Sequence, residues 1–294
     1  MSVVSGGKTI FCEGKQTSLD YELLNRVVEG IPGDKCTIVP AGSKFTFSIF
    51  AEGYFSPNKA VNQKYIVFRD RDFDIKPTEN IQLLEIVNSR GKVLAFLTHR
   101  ACVENYLLDA NLIHTYWREK YTEKLENPTS KWGHKDSPGV EFISAWIETS
   151  ARSLQEYQAV RWALGDLLNM SAAREKLKTT WTGGSGRLPA SLTRQDCQSE
   201  ALGLINQFRQ AFEAVTPENF EASLVTYQQQ FSQEEFWVQK QYLIWFHGKD
   251  IQKEMQKQEP NYISLASFFD WAITQLDITQ YLDLMDLRTR IEQL

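Results

Sequence analysis

The stretch that decides the fold is YIVFRDRDFD, from Tyr65 to Asp74. An apolar run is followed by acids at positions 70, 72 and 74. In an extended chain, side chains two residues apart point to the same side, so these three carboxylates would share one face. Like charges held that close destabilise a strand unless a cation lies among them. We therefore interpret the run as a buried strand whose acidic end holds a metal ion.

Strand-like runs alternate with helical patterns on both sides of this stretch. The alternation predicts βαβ units, and hence an α/β fold with a mainly parallel sheet flanked by helices. Leu19, Leu23, Leu24, Val27 and Val28 give the first helix one apolar face. The strand-like runs are TIFC, CTIVPA, KYIVFR and VLAFLT, the helical ones are LDYELLNRVVE, ENIQLLEIVN and VENYLLDANLI, and a further segment spans residues 44 to 55.

The composition changes near residue 112. All 8 tryptophans lie between positions 117 and 271, and the pattern there is helical. We predict a catalytic domain over residues 1–112 and an α-helical domain over residues 113–294 for partner binding, dimerisation or substrate contact. The glycines of TWTGGSGRLP (180–189) indicate a flexible loop rather than a phosphate-binding loop, because no Gly-Lys-Ser/Thr follows them.

Charge and composition limit the functional classes. A net charge of −5 makes a broad nucleic-acid-coating surface unexpected, although a metal-dependent nuclease keeps an acidic site of its own. The sequence has neither a long apolar run nor a secretory signal, so we expect a cytoplasmic protein without a membrane partner. Its 4 cysteines are far apart, which is typical of reduced thiols. We interpret Cys12 and Cys102 as small buried residues.

Acids follow three of the predicted strands. Glu13 comes after TIFC, the acids at 70 to 74 come after KYIVF, and Glu104 opens the helix after VLAFLTHR. The carboxyl ends of parallel strands meet at one edge of a sheet, so these side chains can converge. Carboxylate oxygens suit Mg²⁺ or Mn²⁺. We predict Glu13, Asp70, Asp72 and Asp74 as metal ligands. We further predict that Glu13, Asp70, Asp72 and Glu104 are the catalytic acids, which together hold one or two metal ions.

Two questions stay open for these acids: which role Glu13 has, and whether the acids bind a metal ion or are solvated turn residues. Glu13 either shares the ion or acts as a general base toward an attacking water. Any one acid at a strand end is also typical of a solvated turn, so the metal site depends on the conjunction of all of them.

The residues resemble a known family at two signature motifs. CEG at 12–14 and DRD at 70–72 are similar to the motifs of TOPRIM proteins, and the resemblance covers roughly residues 8–112. The third position of the first motif is Thr17 where the family usually has an acid, and Asp20 follows three residues later. Three further segments resemble the stand-alone TOPRIM nucleases of the PARIS anti-phage system and related OLD-type nucleases: VPAGSK (39–44), HRACVENYLLD (99–109) and FHGKD (246–250).

This resemblance implies a toxin-like endonuclease of bacterial anti-phage defence. It implies RNA, notably tRNA, as a substrate favoured over DNA, and a partner ATPase that holds the nuclease inactive. A homodimer is left open. The alternative is a non-catalytic interaction or regulatory module with a TOPRIM-like sheet.

Several polar residues are predicted to meet the substrate. Lys44 is our choice for the cation that contacts the scissile phosphate, with a solvated loop lysine as the alternative. Arg69 and Arg71 are interpreted as counter-charges on the opposite face. The aromatic residues of the tract from 236 to 250 favour a buried helix face over base stacking. The predicted substrate-binding residues are Lys15, Ser43, His99, Arg100, His247 and Lys249.

Overall fold

The fold is described from a computed structural model. It describes residues 7–32, 36–42, 65–87, 91, 93–127, 129–170, 179–182, 186–209 and 215–294. The predicted α/β class is confirmed, because a five-stranded, mostly parallel sheet is accompanied by helices that lie mostly in the C-terminal half. Ser43, Lys44 and the predicted segment 44–55 lie outside the described residues.

The sheet has the strand order β2-β1-β3-β5-β4. Its central strands pair in parallel, with Phe11 opposite Val67 and Phe68 opposite Phe96. Every residue of β1 is buried, which is typical of a parallel strand with both faces covered. The strands are β1 Thr9–Cys12, β2 Thr37–Pro40, β3 Tyr65–Arg69, β4 Leu84–Val87 and β5 Val93–Leu97.

The predicted helix over ENIQLLEIVN is wrong. This segment contains β4, which pairs antiparallel with β5 and sets Leu84 opposite Leu97 and Ile86 opposite Ala95. Short apolar runs do not distinguish a helix from a strand by periodicity. Here the pairing with β5 decides the outcome, because it satisfies the backbone groups of both strands.

The first helix, α1 (Leu19–Val28), forms where the periodicity predicts it. Ser18 caps its N-terminus by accepting a hydrogen bond from the backbone N–H of Tyr21 at 3.4 Å. Leu23, Leu24 and Val27 form its buried face. The chain leaves the helix through Gly30, whose φ of 72° lies in the left-handed region that glycine adopts readily.

Further helices follow from residue 104 onward. They are α2 Glu104–Leu107, α3 Ala110–Glu126, α4 Val140–Ser153, α5 Gln155–Met170, α6 Arg194–Arg209, α7 Pro217–Ser232, α8 Glu234–Val238, α9 Tyr242–Trp245, α10 Gly248–Gln258, α11 Leu265–Gln275 and α12 Leu282–Glu292, with a 3₁₀ turn at Ile278–Gln280. None of the helices among the described residues has the length and apolar composition needed to cross a membrane.

The chain divides into two compact units. Unit 1 comprises Met1–Arg71, Pro77–Val103 and Phe269–Leu294, and unit 2 comprises Asp72–Lys76 and Glu104–Phe268. These units describe packing and do not test a functional division at residue 112, which stays a prediction.

Each unit has its own core. In unit 1, Arg288 of α12 donates to the backbone oxygens of Val27 and Glu29 at 2.9 and 2.8 Å, which joins the C-terminal helix to the end of α1. In unit 2, α5 is buried along most of its length. The aromatic side chains at 236, 237, 242 and 246 are buried as well, which confirms the predicted burial of these aromatic residues, although the tract forms two short helices, α8 and α9, rather than one helix face.

Candidate functional site

The carboxyl ends of β1, β3 and β5 lie side by side, because these three strands are consecutive in the sheet. Glu13 follows β1 and Asp70 follows β3. Beyond β5, the N–H of Thr98 donates to the Arg69 carbonyl at 3.3 Å, and the Thr98 hydroxyl accepts from the N–H of Arg71 at 3.1 Å. This is the edge of a parallel sheet at which ligands usually bind.

Asp70 is a buried carboxylate held by a backbone group. Its Oδ1 accepts a hydrogen bond from the N–H of Val103 at 3.0 Å, and the side chain is 3 % exposed. Arg69 donates to the Asp70 carbonyl at 3.0 Å, while Arg71 is buried and donates through Nε to the His99 carbonyl at 3.1 Å. The two arginines are thus engaged by backbone oxygens.

The expectation that acids 70, 72 and 74 share one face of an extended chain is wrong. Strand β3 ends at Arg69, and Asp72 has a φ of 52°. A positive φ turns the chain, so the alternation of side chains stops before it reaches the acids. Asp tolerates this region better than most residues, and a strained backbone of this kind is common at functional sites.

Three buried side chains form a group that could hold a metal ion. Asp70, Cys102 and Glu104 each offer one ligand atom, and these atoms all lie within 4.8 Å of one another. Glu104 is the first residue of α2, as predicted. Its Oε2 is buried and has no hydrogen-bond partner among the described residues. Of the predicted acids, Glu13, Asp72 and Asp74 are not members of this group among the residues described.

The chemistry of the group fits a hard cation through its carboxylates. Mg²⁺ and Mn²⁺ prefer oxygen ligands and usually take one or two protein carboxylates, here Asp70 and Glu104. The Cys102 thiol instead suits softer metals such as Zn²⁺. The sequence predicts Cys102 only as a small buried residue, and its burial is confirmed. The sequence feature that could have identified Cys102 as a member of the group is its position two residues before Glu104.

Lys249 lies beside Glu104. Its Nζ is 3.6 Å from Glu104 Oε1, and the lysine side chain is 36 % exposed whereas that of Glu104 is 9 % exposed. The neighbouring Asn105 accepts from the N–H of Gly248 at 2.9 Å and donates through Nδ2 to the Phe246 carbonyl at 2.9 Å. The FHGKD segment is therefore fixed against the start of α2.

Asp72 pairs with His247 rather than with the other acids of its own motif. The Nε2 atom of the buried imidazole lies 3.1 Å from Asp72 Oδ1. The ring is stacked on Phe73, with centroids 6.2 Å apart, and the N–H of His247 donates to Gln158 Oε1 at 3.2 Å. His247 was predicted to meet the substrate, and the structure places it in contact with Asp72.

A second buried carboxylate, Asp250, was not predicted. It forms an ion pair with Arg161 and accepts from Gln158 Nε2 at 2.9 Å and from the N–H of Gly186 at 3.2 Å. Burial alone raises the pKa of Asp250, but Arg161, then His247 and the hydrogen bonds from Gln158 and Gly186, bring it below its usual value. The carboxylate is thus fully compensated inside the protein.

Glu13 and Gly14 follow directly after β1. Gly14 has a φ of 81°, and a Cβ there would collide with the Ser18 side chain, so only glycine fits. Burial, followed by the charges of Asp20 and Glu13, raises the pKa of the Cys12 thiol to about 12. A raised pKa keeps a thiol protonated, in agreement with the interpretation of Cys12 as a small buried residue.

The remaining predicted residues have separate locations. Lys15 is exposed. His99 is buried, its N–H donates to Asp283 Oδ2 at 2.9 Å, and burial lowers its pKa.

The Arg100 guanidinium lies 5.1 Å from the centroid of the Tyr281 ring. Asp74 is buried, and its carbonyl accepts from Asn169 at 2.9 Å.

Neither a comparison of the sequence with protein-family models nor one with curated proteins gives a match.

Proposed function

We propose that the protein is a metal-dependent endonuclease that hydrolyses phosphodiester bonds with Mg²⁺ or Mn²⁺. The observation that carries the proposal is the convergence of Asp70, Cys102 and Glu104 within 4.8 Å just beyond the ends of parallel strands. A buried Glu104 oxygen without a hydrogen-bond partner among the described residues is the kind of atom that a cation would satisfy.

The residues take distinct parts in this proposal. Asp70 and Glu104 would hold the ion, which supplies positive charge to the phosphate and lowers the pKa of a bound water. Glu13, which follows the neighbouring strand, is the proposed acceptor of the proton from that water. Lys249 offers a cation to a phosphate oxygen.

The resemblance of the CEG and DRD motifs to TOPRIM nucleases supports the biological part of the proposal. On that basis the enzyme is a toxin-like effector of anti-phage defence in the cytoplasm. Its favoured substrate is RNA, notably tRNA, and a partner ATPase restrains it. Residues 113–294 would supply the surface for the partner or for a homodimer.

The test is cleavage of labelled total RNA and plasmid DNA with Mg²⁺ or Mn²⁺ by the wild type, Glu104→Gln and Glu254→Gln. Glu254 is a matched control, because it is also buried and also pairs with a lysine, Lys257, at 3.3 Å. We expect Glu104→Gln to lose at least about a hundredfold in rate, since it removes a ligand of the ion, and Glu254→Gln to keep its rate.

Two results would change the proposal. Cleavage of DNA alone would replace the substrate class while the metal site stands. Absence of cleavage, even with the partner present, combined with absence of Mn²⁺ binding by calorimetry, would contradict the proposal and favour the non-catalytic interaction module.

A further inference from the structure

We propose that Lys249 is an exchangeable counter-ion of Glu104. Its ammonium group neutralises Glu104 while no metal ion is bound, a divalent cation displaces it, and the released ammonium then binds a phosphate group of the nucleic acid. This inference rests on the metal site of the proposed function, and it adds a coupling between metal binding and phosphate binding.

The pairing of Glu104 is incomplete. The 3.6 Å separation from Lys249 Nζ to Oε1 makes an ion pair that is longer than a hydrogen bond, and Oε2 has no hydrogen-bond partner among the described residues. A buried carboxylate with one distant partner lacks part of the hydrogen bonding and opposite charge that offset the free-energy cost of its burial. A divalent cation would compensate it more fully than the distant lysine does.

The glutamate lies in a buried helix, whereas the lysine side chain is partly exposed. All four residues of α2 are buried, whereas the Lys249 side chain is 36 % exposed. The Lys249 backbone follows Gly248, where a Cβ would lie 2.8 Å from the Asn105 backbone nitrogen. This close approach, together with the Asn105 hydrogen bonds, holds the start of α10 against Glu104. The ammonium group therefore stays near the site on a flexible stem after it is displaced.

Another pair on the same helix shows what a structural glutamate–lysine contact looks like. Glu254 lies 3.3 Å from Lys257 and also accepts a hydrogen bond from Gln258 Nε2 at 3.2 Å. Glu254 thus has a second partner within its own helix, which Glu104 lacks among the described residues. We therefore assign the exchange to the pair of Lys249 and Glu104 and not to the pair of Lys257 and Glu254.

Coupling follows from this exchange. A metal ion releases Lys249 for the phosphate, and a phosphate that holds Lys249 vacates Glu104 for the metal ion. By linkage, each ligand must raise the affinity for the other by the same factor.

The first experiment is calorimetric titration of Mn²⁺ into the full-length wild type, Lys249→Met and Lys253→Met. Lys253 is an exposed lysine one turn further along α10, so its replacement removes the same charge from the same helix. We expect Lys249→Met to bind Mn²⁺ roughly fivefold to tenfold more tightly, because the competing cation is gone. Lys253→Met should stay within about twofold of the wild type. Equal or weaker binding by Lys249→Met than by Lys253→Met would overturn the exchange.

The second experiment measures binding of a labelled, phosphorothioate-linked RNA oligonucleotide by fluorescence anisotropy with and without Mn²⁺. We expect Mn²⁺ to raise the affinity of the wild type and of Lys253→Met, and we expect most of this rise to disappear in Lys249→Met. A rise of the same size in Lys249→Met would refute the phosphate step. Both readouts are independent of cleavage, so an inactive protein that shows the exchange would contradict the nuclease and keep the inference. A wild type that binds no Mn²⁺ would overturn both.

Discussion

Glu104 and Asp250 are two buried carboxylates of the same compact unit, and they are compensated very differently. Asp250 has an ion pair with Arg161 and hydrogen bonds from Gln158 and Gly186. Glu104 has Lys249 at 3.6 Å, and its second oxygen has no hydrogen-bond partner among the described residues.

The difference separates a structural acid from a candidate functional one. A protein that buries a carboxylate for stability surrounds it with donors, because an uncompensated charge costs several kcal/mol. A carboxylate that keeps an oxygen available retains the capacity to bind a cation. On this criterion Asp250 belongs to the scaffold and Glu104 belongs to the candidate site.

The largest expected effect is on stability, from breaking the compensated pair. Replacing Arg161 by Leu leaves Asp250 buried without its cation, and we expect a loss of about 3–5 kcal/mol in the free energy of unfolding. Glu104→Gln removes a charge that is poorly compensated, so its free energy of unfolding should stay within about 1 kcal/mol of the wild type. Urea denaturation followed by circular dichroism measures both.

The urea denaturation can also contradict this distinction between Glu104 and Asp250. If Glu104→Gln destabilised the protein as much as Arg161→Leu does, Glu104 would be a structural acid. The incomplete pairing of the Glu104 carboxylate would then no longer support a metal site there.

The sequence predicted the elements that depend on local pattern. Helix α1 follows from the spacing of its leucines and valines, and the parallel sheet follows from the alternation of strands and helices. The prediction failed at β4, where pairing with a distant strand overrides a short helical pattern. It also failed at Asp72, because a positive φ depends on tertiary packing rather than on the motif.

The candidate site was predicted only in part. Asp70 and Glu104 were named because acids at the ends of parallel strands converge by topology. The structural pair of Arg161 and Asp250, which lies outside the candidate site, was not predicted, since the two residues are 89 positions apart and no local pattern links them. The position of Lys249 beside Glu104 likewise depends on the packing of α10, whereas the sequence predicted Lys249 only as a substrate-binding residue of the FHGKD segment.

A smaller effect is expected at the contact that holds α10 in place. Gly248→Ala puts a Cβ 2.8 Å from the Asn105 backbone nitrogen, so the backbone must shift. We expect a loss of about 1–3 kcal/mol in the free energy of unfolding. Gly203 in α6 is the control, because a Cβ there meets nothing within 4 Å. Gly203→Ala should stabilise the protein by about 0.5–1 kcal/mol through helix propensity. Stabilisation by both variants would show that the contact is not tight.

The compensated acid should also show a characteristic pH dependence. The pKa of Asp250 is below its usual value, since Arg161 and its other partners outweigh the effect of burial, so the folded state binds a proton less readily than the unfolded state. Its contribution to stability is therefore complete above about pH 4 and is lost as the pH falls through the folded-state pKa. The difference in unfolding free energy between wild type and Asp250→Asn, measured by urea denaturation from pH 7 to pH 3, should shrink toward acid. A difference that stays constant or grows would contradict the assignment.

The smallest expected effect tests which atoms of the candidate site bind the metal. Mg²⁺ and Mn²⁺ take oxygen ligands, so Cys102→Ser should leave the Mn²⁺ affinity within about threefold of the wild type. Zn²⁺ favours thiolate sulfur, and its affinity should fall by at least about tenfold in the same variant. Calorimetry with each metal gives the two values, and Cys197→Ser, which replaces a buried cysteine outside the group, is the control. A large loss of Mn²⁺ affinity in Cys102→Ser would mean that the sulfur, rather than the pair of carboxylates, dominates the site. The site around Glu104 would then suit a softer metal than the Mg²⁺ or Mn²⁺ that the proposed hydrolysis needs.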